Sequence, residues 1–221
     1  MRVAAIDIGT NTVLLLVAER GPGGELVAVE ERATITRLGQ GVDKTRKLAP
    51  EAIERTNAAL SDYASVIERL GATRVDVVGT SAMRDAGGGE EVRAHVKAKL
   101  GVEACTISGD EEAKLTFAGA LSGIGDIEAG TKVRVFDIGG GSTEVVHGVR
   151  GSGAFDYAHS YDVGSVRLTE RHVTHDPPSA DELAAMRASA KASFANVPAY
   201  DSSVPPVGWG GTAAVRTSAV V

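Results

Sequence analysis

The chain has 221 residues, 43% of them hydrophobic and 24% charged, which is the composition of a folded globular protein and argues against disorder. Lys and Arg number 23 against 29 Asp and Glu, a net charge of −6, so bulk electrostatic binding of a nucleic-acid polymer is not expected, although a local basic groove is compatible. One cysteine excludes an intrachain disulfide, no apolar run approaches the ~20 residues of a membrane span, and the apolar start is too short for a signal peptide, so no membrane association and a cytoplasmic location are expected.

Residues 2–8 form a short apolar run that predicts a strand, ending in Asp7-Ile-Gly-Thr-Asn-Thr12. Residues 13–18 and 25–35 predict two more strands, joined by the turn Gly21-Pro-Gly-Gly24. Pro50 suits a first helical position, and Ile53, Leu60, Ala64, Ile67 and Leu70 form one apolar stripe that Gly71 ends. A strand over 74–78 leads into Gly79-Thr-Ser-Ala-Met-Arg84, and a helix over 90–100 stops at Gly101. Cys105 lies in an apolar strand-like run, 102–107, where a buried inert thiol is expected. Ser108 opens a helix reaching about residue 121, and Gly123, Gly125 and Gly130 mark a linker.

The opening theme then returns. Val133-Arg-Val-Phe-Asp137-Ile-Gly matches Val3-Ala-Ala-Ile-Asp7-Ile-Gly in Val, Asp, Ile and Gly at the same spacing, and a strand over 143–149 follows. Such a repeat predicts a duplicated α/β domain, divided as 1–122 and 123–221. A strand over 154–161, a helix over 165–172, and a helix from the capping box Ser179-x-x-Glu182 to about 196 come next. The last predicted strand, 204–207, runs into Gly208-Trp-Gly-Gly-Thr212.

Two strand-ending turns of this type suit phosphate. Glycine lets backbone approach a polyanion, and consecutive N–H groups form an anion nest. Gly9, Thr10, Asn11 and Thr12 in one turn, and Gly139, Gly140, Gly141, Ser142 and Thr143 in the other, are the candidate phosphate-binding residues. Asp7 and Asp137 end the strands; a carboxylate beside a phosphate calls for a cation between them, and Mg²⁺ fits. Glu144 is a further ligand or water-holder. Arg84 offers a bidentate clamp for phosphate or, alternatively, a surface pair with Asp85. Ser108 and Glu111 stand at capping-box spacing, which leaves Glu112 outside the box. A carboxylate there can deprotonate water for attack on phosphorus, or simply complement the helix dipole. The basic residues Arg32, Arg37, Lys44, Arg46 and Lys47 form either a solvated rim or a landing strip for a long polyanion.

Taken in order, Asp7-Ile-Gly-Thr-Asn-Thr12, Gly79-Thr-Ser-Ala-Met-Arg84, Ile107-Ser-Gly-Asp-Glu-Glu-Ala113, Asp137-Ile-Gly-Gly-Gly-Ser-Thr-Glu144 and Asp162-Val-Gly-Ser-Val-Arg-Leu-Thr-Glu170 resemble the exopolyphosphatase / guanosine pentaphosphate phosphohydrolase family. That family belongs to the sugar kinase, actin and Hsp70-type ATPase superfamily. The resemblance implies duplicated actin-like, ribonuclease H-like α/β domains with mixed sheets flanked by helices, and a site in the cleft between them. It implies Mg²⁺-dependent hydrolysis of terminal phosphoanhydride bonds of polyphosphate or guanosine pentaphosphate. Glu112 matches the catalytic base, Arg84 a phosphate-binding arginine, Asp137 and Glu144 carboxylates around metal and water, and Asp7 the head of the first loop. Family members continue beyond the glycine turn with further helices; here Trp209 intrudes, so the second domain is expected to be incomplete at its C-terminus. That points to an alternative, a non-catalytic sensor of guanosine tetra- or pentaphosphate or polyphosphate, or an inactive fragment. An uncovered apolar sheet face would favour a homodimer.

Overall fold

A computed structural model describes residues 1–122, 127–199, 204 and 206–209, so residues 123–126, the first half of the linker, and residues 210–212 of the last glycine turn lie outside the described residues. The chain divides into two compact units, 1–107 and 108–221.

In the first unit, β1 (Arg2–Ile8), β2 (Thr12–Arg20) and β3 (Leu26–Ile35) form an antiparallel meander. A short helix α1 (Val42–Thr45) and the long α2 (Pro50–Leu70) follow. Then come β4 (Arg74–Gly79), α3 (Ser81–Asp85), α4 (Gly89–Leu100) and β5 (Ala104–Thr106). The sheet order is β3-β2-β1-β4-β5, with β4 and β5 parallel to β1. As the apolar stripe predicts, α2 buries Ile53, Leu60 and Ile67 against Ile6, Leu15 and Val17. Each such side chain contributes about 1.5–3 kcal/mol on burial. Pro50 opens the helix, and Gly71 closes it in the left-handed conformation.

Cys105 is exposed, against expectation. The strand is an edge strand, paired on one side only, and alternation turns Ala104 inward and Cys105 out. An apolar run does not reveal which parity faces the core.

In the second unit, α5 (Gly109–Ser122) precedes β6 (Lys132–Ile138), β7 (Thr143–Val149) and β8 (Phe155–Tyr161), again an antiparallel meander. Helices α6 (Ser165–His172) and α7 (Ala180–Ser193) follow, and β9 (Pro206–Trp209) pairs parallel to β6. The expected duplicated α/β architecture with two mixed sheets is present. The dividing point is not at 122/123, however. Ala113, Phe117, Ala120 and Leu121 of α5 pack with Val133, Val135 and Val146, so this helix covers one face of the second sheet. The glycines after it had suggested a boundary, but apolar burial assigns the helix to the second unit. The opposite face borders a largely apolar cavity of about 610 Å³, lined by Phe136, Val145, Leu168 and Phe194 among others, which offers little to a polyanion.

Among the described residues no helix is long and apolar enough to cross a membrane.

Candidate active site

The turn between β1 and β2 closes through a hydrogen bond from Gly9 N to Thr12 O at 3.1 Å. A Cβ at Gly9 would lie 2.8 Å from that same oxygen, which is why glycine stands there. The next two carbonyls are drawn onto residues 36–39: Gly39 N donates to Thr10 O, and Thr36 N and Arg37 N to Asn11 O. Thr10 Oγ1 and Ser81 Oγ share a 2.7 Å hydrogen bond, tying the turn to the first residue of α3. The same short helix carries Arg84. Its Nη1 donates to Ile107 O at 3.0 Å, and its Nε lies 3.6 Å from Asp85 Oδ1. The pair with Asp85 is therefore present. Asp7, half-buried, sits opposite Leu14 at the end of β1.

The turn between β6 and β7 repeats this geometry, with Gly139 N donating to Ser142 O at 3.0 Å. Its carbonyls are drawn onto the start of α6: Ser165 N donates to Gly139 O, Val166 N and Arg167 N to Gly140 O, and Arg167 Nε to Gly141 O at 2.8 Å. Thr143 Oγ1 donates to Val163 O at 2.6 Å, so its hydroxyl hydrogen is spent inside the protein. Among the described residues, nothing engages the N–H groups of Thr10 and Asn11 in one turn, or of Gly140, Gly141 and Ser142 in the other. Consecutive backbone N–H groups in such turns are of the kind that can receive an anion.

The carboxylates gather in the second unit. Asp137 pairs with Glu144 across β6 and β7, and Glu144 with Ser160 across β7 and β8, so all three side chains share the face under α5. Gly109 brings the first turn of α5 down on this row; a Cβ there would meet Ser160 Cβ at 2.7 Å. Ser160 Oγ donates to Glu144 Oε1 at 2.6 Å, and Thr116 Oγ1 reaches Asp137 Oδ2 at 3.4 Å. The capping box is formed as expected: Ser108 N and Oγ both donate to Glu111 Oε2, and Glu111 N donates to Ser108 Oγ. These bonds hold the Glu111 carboxyl below the usual range. Glu112, one residue on, instead lies within electrostatic reach of Glu144.

Glu144 is only 2% exposed. Burial pushes its pKa up to about 7, and the Glu112 and Asp137 carboxylates push in the same direction, against the lowering hydrogen bonds from Ser160 and Ser142. Burial likewise raises Asp137. Around neutral pH this cluster holds a proton in a row of acids, the arrangement from which proton-transfer chemistry is built.

A divalent cation fits this donor set in one particular way. Among the described residues no three His, Cys, Asp or Glu side chains surround a common point. Mg²⁺, however, is commonly held by one or two carboxylates and completed by substrate phosphates and water. Hard oxygen donors at mutually repelling distances beside an N–H-lined turn match that mode.

Sequence reasoning names Glu112, Glu144 and Asp137, which the structure brings together in the second unit, and Gly9–Thr12, Asp7 and Arg84, which lie in the first; its division at 122/123 had put Glu112 with the latter. It misses Ser81, Thr116, Ser160 and Arg167. Thr116 carries a legible signal, since it lies four residues after Glu112 on one helical face. Ser160 carries none, because its register opposite Glu144 passes a bulge between His147 and Gly148.

A model of the Ppx/GppA phosphatase family matches residues 16–217 of the chain. Exopolyphosphatase 2 of Mycobacterium tuberculosis is 46% identical over 194 residues, covering 84% of this chain and 59% of that protein. Exopolyphosphatase 1 of Mycobacterium bovis is 32% identical over 187 residues, covering 85% and 53%. The crystal structure of an exopolyphosphatase-like protein aligns with a TM-score of 0.84 at 36% identity, over 94% of this chain and 65% of that one. For a crystal structure of the Aquifex aeolicus Ppx/GppA family member the TM-score is 0.71 at 33% identity, over the same shares. The chain therefore spans less than two thirds of the length of these relatives.

Proposed function

Because the chain belongs to the Ppx/GppA phosphatase family, we propose that it hydrolyses terminal phosphoanhydride bonds, releasing orthophosphate from inorganic polyphosphate or guanosine pentaphosphate. The observation that carries this reading is the Asp137–Glu144–Ser160 row lying beside Glu112 and an N–H-lined turn. Water attacks the terminal phosphorus, the bridging P–O bond breaks, and the bridging oxygen leaves with the shortened chain. Glu112, half-buried and the more accessible of the two glutamates, accepts the proton of the attacking water. Glu144, anchored by Ser160, holds a proton near neutrality and keeps the water oriented. The N–H groups of Gly140, Gly141 and Ser142, and of Thr10 and Asn11, take phosphate oxygens, with Arg84 as a clamp. In the second unit Asp137, and in the first Asp7, is the carboxylate that would hold Mg²⁺, which supplies neutralisation of phosphate charge when bound.

Phosphate release from both substrates, with Mg²⁺, tests the reading. Glu112→Gln is expected to lose about 10²-fold or more in kcat. Equal rates would remove Glu112 from the base role. A wild type that binds these anions and releases nothing would instead be a sensor.

A further inference from the structure

The basic stretch 37–47 plays no part in the reaction above. It holds four cations, Arg37, Lys44, Arg46 and Lys47, and one acid, Asp43, within a chain of net charge −6. All four cationic side chains are exposed, and none makes a hydrogen bond or ion pair among the described residues. The loop is stapled at both ends to phosphate-site elements of the first unit. At one end Arg37 N donates to Asn11 O at 2.9 Å, and Gly39 N to Thr10 O at 2.8 Å. At the other, Gly87 N donates to Arg46 O at 3.0 Å, and Leu48 N to Gly87 O at 2.9 Å, three residues beyond Arg84. The loop that carries these cations thus runs from the 9–12 turn to the segment just after the Arg84 helix.

The backbone adds an independent sign. Among the described residues only two non-glycine residues have left-handed φ, and they are Arg37 (51°) and Arg46 (56°). L side chains disfavour this region because Cβ crowds the carbonyl, and Arg46 caps α1 at a position where glycine is the usual choice. At both places glycine would serve the backbone better, so what the positions gain is the guanidinium. Strain of this kind points to function.

We infer that residues 37–47 form a cationic subsite, led by Arg37 and Arg46, which holds the phosphates of a long inorganic polyphosphate beyond those taken by the 9–12 turn and Arg84. The subsite makes the protein prefer long chains over short ones. This rests on the polyphosphate reading above, and the experiment separates the two. The double variant Arg37→Gly/Arg46→Gly removes both charges while relieving the backbone, so the fold is retained. Its Kd and KM for long-chain polyphosphate are expected to rise about tenfold, with a smaller rise for tripolyphosphate. The slope of log affinity against log salt should flatten by about two, one counterion per lost charge. Arg37→Lys/Arg46→Lys should recover most of the loss. Wild-type affinity and salt slope in the glycine pair would overturn the subsite while leaving the hydrolase reading intact. Salt-sensitive binding lost in the glycine pair, without phosphate release by the wild type, would support the subsite and overturn the hydrolase reading.

Discussion

The two strand turns are near copies in backbone and opposites in chemistry. In both, the first glycine donates to the oxygen three residues on, at 3.1 Å in one and 3.0 Å in the other. In both, an aspartate ends the central strand. Following the register outward, Asp7 faces Leu14 and Leu14 faces Ala33, whereas Asp137 faces Glu144 and Glu144 faces Ser160. Leu16, one pleat along that first row, remains 36% exposed, while the corresponding face of the second sheet lies under α5. Duplication therefore supplies the turn geometry and its aspartate twice, but only the second copy sets a glutamate beside that aspartate and a helix over the pair. On the function proposed above, binding would be a property of the shared backbone and reactivity of side chains placed on one copy.

The sharpest way to break this asymmetry is to make the second row like the first. Glu144→Leu is expected to lower the rate of phosphate release by about 10²-fold or more, measured as kcat. Retained turnover would mean that the carboxylate row is not what separates the two copies. Next in size is the support of the second turn. A Cβ at Gly164 would stand 2.5 Å from the backbone of Gly140. Gly164→Ala should therefore destabilise by about 1–3 kcal/mol, read as a fall in denaturant midpoint. Gly9→Ala tests the first turn by its 2.8 Å approach to Thr12 O and should cost less.

The smallest expected effect is a pH dependence. Glu144 is raised from 4.5 to about 7, so between those values the folded state keeps a proton that the unfolded chain has lost. The stability this contributes is present below 4.5 and disappears as pH climbs through 7. In chelator-containing buffer, Tm of the wild type should fall relative to Glu144→Gln by on the order of 5 °C between about pH 5 and about pH 8. Parallel curves for the two proteins would show that Glu144 is not held protonated by its surroundings.

Much of this architecture was legible along the chain. The apolar stripe of α2, its Pro50 start and Gly71 stop, and both capping boxes follow from spacings of three and four residues. The two Asp-Ile-Gly turns announce themselves through the glycine that the Gly9 N to Thr12 O closure requires. The reach of α5 into the second unit was hidden, because Phe117 and Leu121 would read the same against either sheet. Cys105 was misplaced for a similar reason, since parity within a three-residue edge strand is set by its neighbour.

By itself, then, the sequence determined the elements whose partners lie within a few residues: caps, turns, stripes and the repeat that relates the two halves. There covalent spacing dictates geometry. Only the tertiary structure decided which carboxylates meet. Glu112 lies 32 positions before Glu144, and Ser160 lies 16 after it. Their approach depends on strand register, a bulge and the seating of one helix by apolar burial. The proton that Glu144 keeps near neutrality is a consequence of that burial and of those neighbours, which no local spacing encodes.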